Sequence, residues 1–182
     1  MNELGAKYVA PSAEAARTRE AVVKWLNDRA VSLAEIAELV YEIQKGYISG
    51  LTLRDCLESV ERVLEKREVQ NAVLTGLALD ILAEKGQLGE PLLTMLREDD
   101  SLYGIDEILA LSVVNIYGSI GLTNFGYLDK VKPGVIGRAN NQKGKKVNTF
   151  LDDILSAVVA AAAARLAHRA RDTGLEKKFR PA

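Results

Sequence analysis

Apolar positions along the chain recur every three to four residues, which is the spacing of one face of an α-helix. No stretch alternates steadily between apolar and polar residues, and no Asn-Gly or Asp-Gly pair joins two apolar runs as in a β-hairpin. The pattern predicts an all-α fold, a bundle of about six to eight helices with a buried apolar central segment. Without an internal repeat or a linker, we expect a single domain over residues 1–170 and a charged, frayed tail at 171–182.

The helices of the first half have recognisable starts and ends. Two are expected to begin at capping boxes, Ser32 to Glu35 and Thr52 to Asp55, in which the two side chains bond each other's backbone amides. Cys56 then falls on the apolar face of its helix and is interpreted as a core residue. Three further helices are predicted: about Ser12 to Asp28, Glu68 to Lys85 with Gly86 as its left-handed end, and a short one beginning near Glu90-Pro91.

The second half contains an uncharged stretch from Ile108 to Leu128, just long enough to cross a bilayer. Its glycines and its serine, threonine and asparagine side chains lower the gain from membrane insertion, so we interpret it as a buried pair of core helices. A loop is expected from about Pro133 to Asn148. The last helix is predicted from Thr149 to Ala170, with a third capping box at its start and five consecutive alanines that permit close packing.

Composition narrows the classes of function. At 182 residues the chain can bury a core without disulfides or a structural metal. A single cysteine, Cys56, and a single histidine, His168, exclude cysteine-and-histidine zinc patterns, a Cys-His nucleophile pair and a disulfide framework. We expect the reducing cytoplasm as the compartment, since the first ten residues lack the apolar region of a secretory signal. A formal net charge of -1 gives no overall attraction to nucleic acid, and we expect no nucleic-acid partner.

Acidic residues in the second half are suited to Mg²⁺-assisted phosphoester chemistry, because carboxylates supply the hard oxygen ligands that Mg²⁺ prefers. A basic, glycine-containing segment follows Asp129 and could hold phosphate. Each feature also has a plainer reading, since acids near helix starts complement the helix dipole and a basic loop is often solvated surface. The acids are Asp106, Glu107, Asp129, Asp152 and Asp153, and the basic residues are Lys130, Lys132, Arg138, Lys143, Lys145 and Lys146.

Helix geometry decides whether these acids can share one site. If residues 107 to 129 formed one straight helix, Asp106 and Asp129 would lie ~35 Å apart. A break between Gly118 and Gly121 would fold the stretch into an antiparallel hairpin and bring both acidic ends to the same side of the bundle. Alternatively, two subunits could share the site across an interface.

Three segments together resemble the phosphatidylglycerophosphatase A family. They are Ile-Asp-Glu at 105–107, Leu-Asp-Lys-Val-Lys-Pro at 128–133, and Asp-Asp at 152–153 before a helix of small residues. Over the whole chain the sequence is more similar to a soluble, YutG-like bacterial branch of that family. LAEIAELVYEIQ, KREVQNAVLTGLALDILAEKG and YGIDEILALSVVNIYGSIG carry this second likeness.

The resemblance implies a Mg²⁺-dependent phosphoric monoester hydrolase that converts phosphatidylglycerophosphate to phosphatidylglycerol in phospholipid biosynthesis. It implies metal ligation or water activation by five acids, Asp106, Glu107, Asp129, Asp152 and Asp153, of which all but Asp152 are expected to be catalytic. It also implies that Lys132 contacts phosphate, and the basic segment adds Lys130 and Arg138 as candidates for the same role. The expected partner is a phosphate ester, a phospholipid in this family.

Other outcomes remain open at this point. A soluble member could act on a water-soluble phosphate ester, contact the membrane only peripherally, or have lost catalysis. The alternative from a different class is a non-catalytic helical module that binds an anionic headgroup or a protein partner through the basic loop. The alanine-rich last helix, together with an apolar content of 48% over the whole chain and few aromatic residues, also favours a homo-oligomer.

Overall fold

The computed structural model describes residues 13–100, 102–142 and 146–175, and within these ranges every regular element is helical. This confirms the all-α prediction. The α-helices are α1 (Ala13–Asp28), α2 (Leu33–Gln44), α3 (Leu53–Leu64), α4 (Arg67–Glu84), α5 (Leu92–Glu98), α6 (Ile105–Val114), α7 (Gly118–Val131), α8 (Gly134–Asn140) and α9 (Leu151–Asp172), with a 3₁₀ turn at Asn115–Tyr117.

Helix α9 forms the centre of the bundle. It packs against α2, α3, α4, α6, α7 and α8, and its side chains are buried on all faces over most of its length. The alanines at 160–164 are all fully buried. Their small side chains let the surrounding helices approach the axis of α9 closely, as the sequence predicts, but the approach is made within one chain. These alanines are therefore not available for contact with a second subunit.

Two predicted capping boxes are present. The Ser32 hydroxyl accepts a hydrogen bond from the Glu35 amide at 3.3 Å, and the Glu35 carboxylate accepts one from the Ser32 amide at 3.0 Å. Thr52 and Asp55 make the same reciprocal pair at 3.2 and 3.0 Å. Cys56 is fully buried in the core, as expected.

The prediction of a third capping box, from Thr149 to Asp152, is wrong. Phe150 is the N-cap of α9, and its side chain makes no capping hydrogen bond. The Thr149 hydroxyl, which was expected to cap the helix, donates instead to the Leu96 carbonyl at the end of α5, at 2.7 Å. A serine or threonine near a helix start can satisfy another helix just as well, and sequence spacing does not distinguish the two. As a result Asp152 takes no part in a capping box.

The uncharged stretch is broken, as convergence of the acids requires. A 3₁₀ turn at Asn115–Tyr117 ends α6, and Gly118 then adopts φ +70° and ψ −161°, a conformation strongly unfavourable for a residue with a Cβ atom. The chain direction changes there, and α6 and α7 pack against each other and against α9. The break lies just before the predicted position, since it begins three residues before Gly118.

The same stretch is less buried than predicted. Its inner side chains, including Val113, Val114 and Phe125, lie in the core, but several large apolar side chains are exposed: Ile105, Ile108, Ile116, Ile120, Leu122, Tyr127 and Val131. By length and composition the segment Ile105–Val131 could cross a bilayer, and about a third of its most apolar window is buried. We call these exposed side chains of α6, the 3₁₀ turn and α7 together the apolar face.

Smaller differences concern the connections. The predicted loop from Pro133 to Asn148 contains the helix α8, whose apolar residues Val135, Ile136 and Ala139 are buried. Gly86 lies just after the end of α4 and adopts the predicted left-handed conformation, with φ +67°. Ser12 and most of the expected tail, residues 176–182, lie outside the described residues.

Candidate functional site

The first turn of α9 carries two adjacent acids that are almost completely buried. Asp152 is 6% exposed and Asp153 is 4% exposed. Carboxylates are stabilised near a helix N-terminus by the free amides and the helix dipole, which explains why the turn tolerates them. Two neighbouring buried acids nevertheless repel each other and require a cation or protons.

Lys132 supplies a cation between them. Its Nζ atom lies 2.7 Å from Asp152 Oδ2, 3.1 Å from Asp129 Oδ1 and 3.7 Å from Asp153 Oδ1. We call the group formed by Asp106, Asp129, Lys132, Asp152 and Asp153 the acidic centre. Within this chain, the hairpin and α9 therefore bring together acids that are widely separated in sequence.

The backbone around Lys132 explains how its side chain reaches the acids. Lys132 ends α7 in the left-handed conformation, with φ 46° and ψ 57°, and its amide bonds to the Leu128 carbonyl at 2.7 Å. Pro133 follows and prevents the helix from continuing. The Lys132 carbonyl lies directly against Gly137, where a Cβ atom would have no room. A glycine at 137 thus permits the close turn that aims Lys132 at α9.

Asp106 lies in the first turn of α6, on the edge of the acidic centre, and its Oδ1 accepts a hydrogen bond from the Glu107 amide at 2.9 Å. It is close enough for its charge to raise the pKa of Asp153. Glu107 is exposed.

The pKa values of the buried groups reflect this crowding. Burial, followed by the negative charge of Asp152, raises the pKa of Asp153 to about 8, and the charges of Asp129 and Asp106 act in the same direction. Burial also raises the pKa of Asp152, although the hydrogen bond from Lys132 opposes the change. For Lys132, burial alone would lower the pKa, but bonding to Asp152 and Asp129 and the charge of Asp153 raise it. One lysine therefore leaves the acidic centre with uncompensated negative charge.

The other candidates for phosphate contact in the basic segment do not lie together. Lys130 is exposed at the end of α7, beside the apolar face. Arg138 points to the other side of α8, where it donates to Glu35 Oε1 and to the Ala30 carbonyl, both at 2.6 Å. Lys143 and Lys145 lie outside the described residues. Of the three predicted phosphate contacts, the structure thus brings only Lys132 into the acidic centre.

Sequence reasoning missed the residues that hold the start of α9. Asp80, on α4, is fully buried and accepts hydrogen bonds from the Phe150 and Leu151 amides. Arg29 is nearly buried and joins α4 to the segment before α9. The sequence did contain an indication: Asp80 is a single acid among the apolar residues on the buried side of α4, near Leu77 and Ala83. Such a side chain requires buried partners.

The carboxylates of Asp129, Asp152 and Asp153 contact the Lys132 ammonium group and are not arranged as metal ligands. Among the described residues, no group of three or more His, Cys, Asp or Glu side chains is positioned to hold a metal ion. Mg²⁺, however, keeps several waters and is usually bound through one or two carboxylates together with substrate phosphates. The hard oxygen donors and the excess negative charge of the acidic centre fit that mode.

The protein family described as phosphatidylglycerophosphatase A matches this chain over residues 26–168. This range contains the whole acidic centre. In Bacillus subtilis (strain 168), the uncharacterized protein YutG is 58% identical over 148 residues, which cover 81% of this chain and 89% of YutG.

Solved structures share the fold. The low temperature requirement C protein of Listeria monocytogenes is 54% identical, with a TM-score of 0.83 over 90% of this chain and 100% of that one. A protein of unknown function from Bacillus stearothermophilus is 56% identical, with a TM-score of 0.81 over 84% of this chain and 94% of that one.

Proposed function

Because the chain belongs to the phosphatidylglycerophosphatase A family, we propose that it is a Mg²⁺-dependent phosphatase that removes the terminal phosphate of phosphatidylglycerophosphate to give phosphatidylglycerol. The observation that carries the proposal is the acidic centre, in which three carboxylates lie within 4 Å of the Lys132 ammonium group, a fourth acid, Asp106, lies near Asp153, and the pKa of Asp153 rises to about 8. Excess negative charge at a partly exposed position favours binding of a cation.

We assign the cation to the more accessible acids. Asp129 has a side-chain exposure of 31%, against 9% for Asp152 and 6% for Asp153. Asp129 and Asp106 would hold Mg²⁺, in keeping with the one or two carboxylates that this ion usually takes, with Glu107, Asp152 and Asp153 as outer members of the same set. When bound, Mg²⁺ would neutralise charge on the phosphate oxygens and so favour attack at phosphorus.

The chain's own groups have separate roles in this proposal. The Lys132 ammonium donates to a phosphate oxygen as a point charge, in exchange for part of its bonding to Asp129. Asp153 carries a proton for part of the time at neutral pH and can give it to the leaving alkoxide as the phosphorus–oxygen bond breaks. Asp129 can accept a proton from the attacking water. Lys130, at the rim, adds positive charge for an incoming anion.

The location follows from the substrate. We propose a cytoplasmic protein that contacts the membrane only at its surface, where it would meet a phospholipid substrate. The same centre could accept a water-soluble phosphate ester. Separation of cell lysate into soluble and membrane fractions, with and without high salt, tests the location.

Phosphate release tests the activity. The intact protein is assayed with phosphatidylglycerophosphate in mixed micelles and with a panel of soluble phosphate monoesters, in Mg²⁺ and in EDTA. We expect release only with Mg²⁺, and we expect Asp129→Asn and Asp153→Asn to reduce kcat at least a hundredfold, since each removes a group from the proposed site. Asp28→Asn, which changes an exposed acid paired with Lys24, is the matched control.

The proposal fails if no ester is hydrolysed and Mg²⁺ also leaves the melting temperature unchanged. Ligand bound only by the native state must raise that temperature. A protein that binds Mg²⁺ and phosphate without turnover would instead be the non-catalytic binding module.

A further inference from the structure

Helix α9 begins without a cap of its own. The first amides of an α-helix have no partner within the helix, and a serine, threonine, asparagine or aspartate at the N-cap usually accepts from one of them. Phe150 occupies the N-cap here, and Thr149 is bonded to Leu96. The start of this buried helix must therefore be satisfied from elsewhere in the fold.

Asp80 provides the missing acceptors from α4. Its Oδ1 accepts a hydrogen bond from the Phe150 amide at 3.2 Å, and its Oδ2 accepts one from the Leu151 amide at 3.1 Å. The side chain is fully buried, so water does not compete for these bonds. The two oxygens of one carboxylate thus fix the direction of the first turn of α9.

This external cap leaves the acid at the third helical position free for the acidic centre. In a capping box that residue, here Asp153, turns its side chain back toward the N-cap amide. An aspartate that served the helix in this way could not also point at Lys132. Since Asp80 accepts from the Phe150 and Leu151 amides, Asp153 can lie 3.7 Å from Lys132 Nζ, beside Asp152 at 2.7 Å.

A second acid on α4 holds the segment before α9. Glu84 lies four residues after Asp80, on the same side of the helix. Its Oε1 accepts from the Val147 amide at 3.0 Å and from Arg29 at 2.6 Å. Arg29 also donates to the Val147 carbonyl and to Asn148 Oδ1, both at 2.9 Å. The backbone is therefore fixed both before and at the first turn of α9.

We propose that Asp80 is a positioning residue of the acidic centre: by capping α9 from α4, it sets the orientation in which Asp152 and Asp153 meet Lys132 and any bound cation. The effect on Mg²⁺ and on turnover rests on the proposed function, whereas the effect on the positions of the side chains does not.

The test uses Asp80→Asn, which keeps the size of the side chain but presents an NH₂ group to one of the two amides. The matched control is Asp55→Asn, which weakens the cap of α3 by removing the charge from the side chain that accepts from the Thr52 amide and hydroxyl. Both variants are expected to melt at a lower temperature than the wild type. A crystal structure of Asp80→Asn should show the contact between Lys132 Nζ and Asp152 lengthened beyond hydrogen-bond distance, with the same contact intact in Asp55→Asn.

Function provides the second readout. Loss of a group that orients metal ligands typically weakens metal affinity or activity about 10- to 100-fold. We expect Asp80→Asn to raise the half-saturating Mg²⁺ concentration about tenfold or more, and Asp55→Asn to leave it unchanged. If Asp80→Asn fails to fold, Glu84→Gln loosens the same junction from a more exposed position and should shift the half-saturating concentration in the same direction by a smaller factor.

The outcomes separate the two proposals. A folded Asp80→Asn protein with an unmoved Asp152–Lys132 contact and an unchanged Mg²⁺ response overturns the positioning role and leaves Asp80 as a structural cap. A wild-type protein without any Mg²⁺ response overturns the proposed function, and the position of Asp152 in the variant's crystal structure then decides the positioning role alone.

Discussion

Among individual residues, Lys132 is central to the acidic centre, because its ammonium group lies within 4 Å of three carboxylates. Removing one partner of a buried ion pair leaves the others with an uncompensated charge, which costs more than the pair itself contributes. The lysine thus acts as an internal counter-ion for α9.

Lys132→Met removes this counter-ion with little change in side-chain length. We expect the free energy of unfolding in metal-free buffer to fall by up to about 3 kcal/mol at pH 8, since Lys132 is only partly buried. Millimolar Mg²⁺ should restore part of the loss by taking the place of the ammonium group. Urea unfolding with EDTA and with Mg²⁺ measures both effects, and Lys130→Met, at an exposed neighbour, should behave like the wild type.

Asp153 makes stability depend on pH. Its pKa is about 8 in the folded protein, well above the ordinary 3.8 for aspartate. Between these two values the folded state holds a proton that the unfolded state has released. Stability from this group is therefore present at low pH and is lost as the pH rises toward 8.

Asp153→Asn should remove that dependence. Wild type and variant are compared by urea unfolding at intervals from pH 5 to pH 9 in EDTA, and only the difference between them is interpreted, because other acids titrate in both. We expect the variant to gain stability relative to the wild type as the pH rises, with little further gain above pH 8. A difference that is constant with pH would show that Asp153 titrates normally.

Between helices, the contact of α4 with α9 determines how precisely the acidic centre is held. Gly76 lies where α4 crosses α9, and a Cβ atom at this position would overlap the Ile154 side chain and lie 2.9 Å from Phe150 Cβ. The absence of a side chain lets α4 come close enough for Asp80 to reach the first turn of α9.

Gly76→Ala should therefore push the two helices apart. Overpacking of a well-packed core typically costs about 1–3 kcal/mol, and we expect that loss in the free energy of unfolding together with a weaker Mg²⁺ response. Gly126→Ala is the control, because no atom lies within 4 Å of the added Cβ on the outer side of α7. The same change there should be neutral or stabilise the helix by up to about 1 kcal/mol. Equal effects of the two substitutions in thermal melts would contradict the packing argument.

Local sequence signals predicted the helices well and their contacts less well. The boxes at Ser32 and Thr52 could be read directly, because both partners lie within one turn. Thr149 shows the same spacing but bonds to α5, since the partner that decides its role is distant in sequence. Asp80 was missed for the same reason. The cluster of acids was predicted from its residues and the hairpin, whereas the central position of Lys132 depends on the left-handed turn before Pro133 and could not be read from spacing.

At the scale of the whole molecule, the apolar face exposes large hydrophobic side chains to solvent. Ile108, in the first half of α6, is 62% exposed, and no charged residue occurs between Ile108 and Leu128. Large exposed apolar patches are unusual on a monomer and commonly mark an interface. The homo-oligomer expected from the alanines would then form through this face and not through α9.

We accordingly expect a homodimer, in which two copies of the face cover each other about a two-fold axis. Light scattering at micromolar concentration should give twice the mass of the chain, 19.8 kDa. Ile108→Glu should raise the dimer dissociation constant at least about tenfold, because it places a charge in the contact. Ser112→Glu, also exposed on α6, adds a second test of the same face. A strictly monomeric wild-type protein would contradict the prediction.

The central position of α9 also affects how the protein can be made. This helix follows all the others within the described residues, yet the earlier helices complete their core against it or its neighbours. During synthesis α2, α3 and α4 leave the ribosome with their inner faces uncovered, and they remain so until residue 172 has been translated. Contacts between such distant parts of a chain form slowly, and the exposed apolar surface is prone to aggregation in the meantime. A nascent chain stalled before α9 should therefore be held by chaperones and digested readily by protease, whereas the released full-length chain should become resistant in one cooperative step.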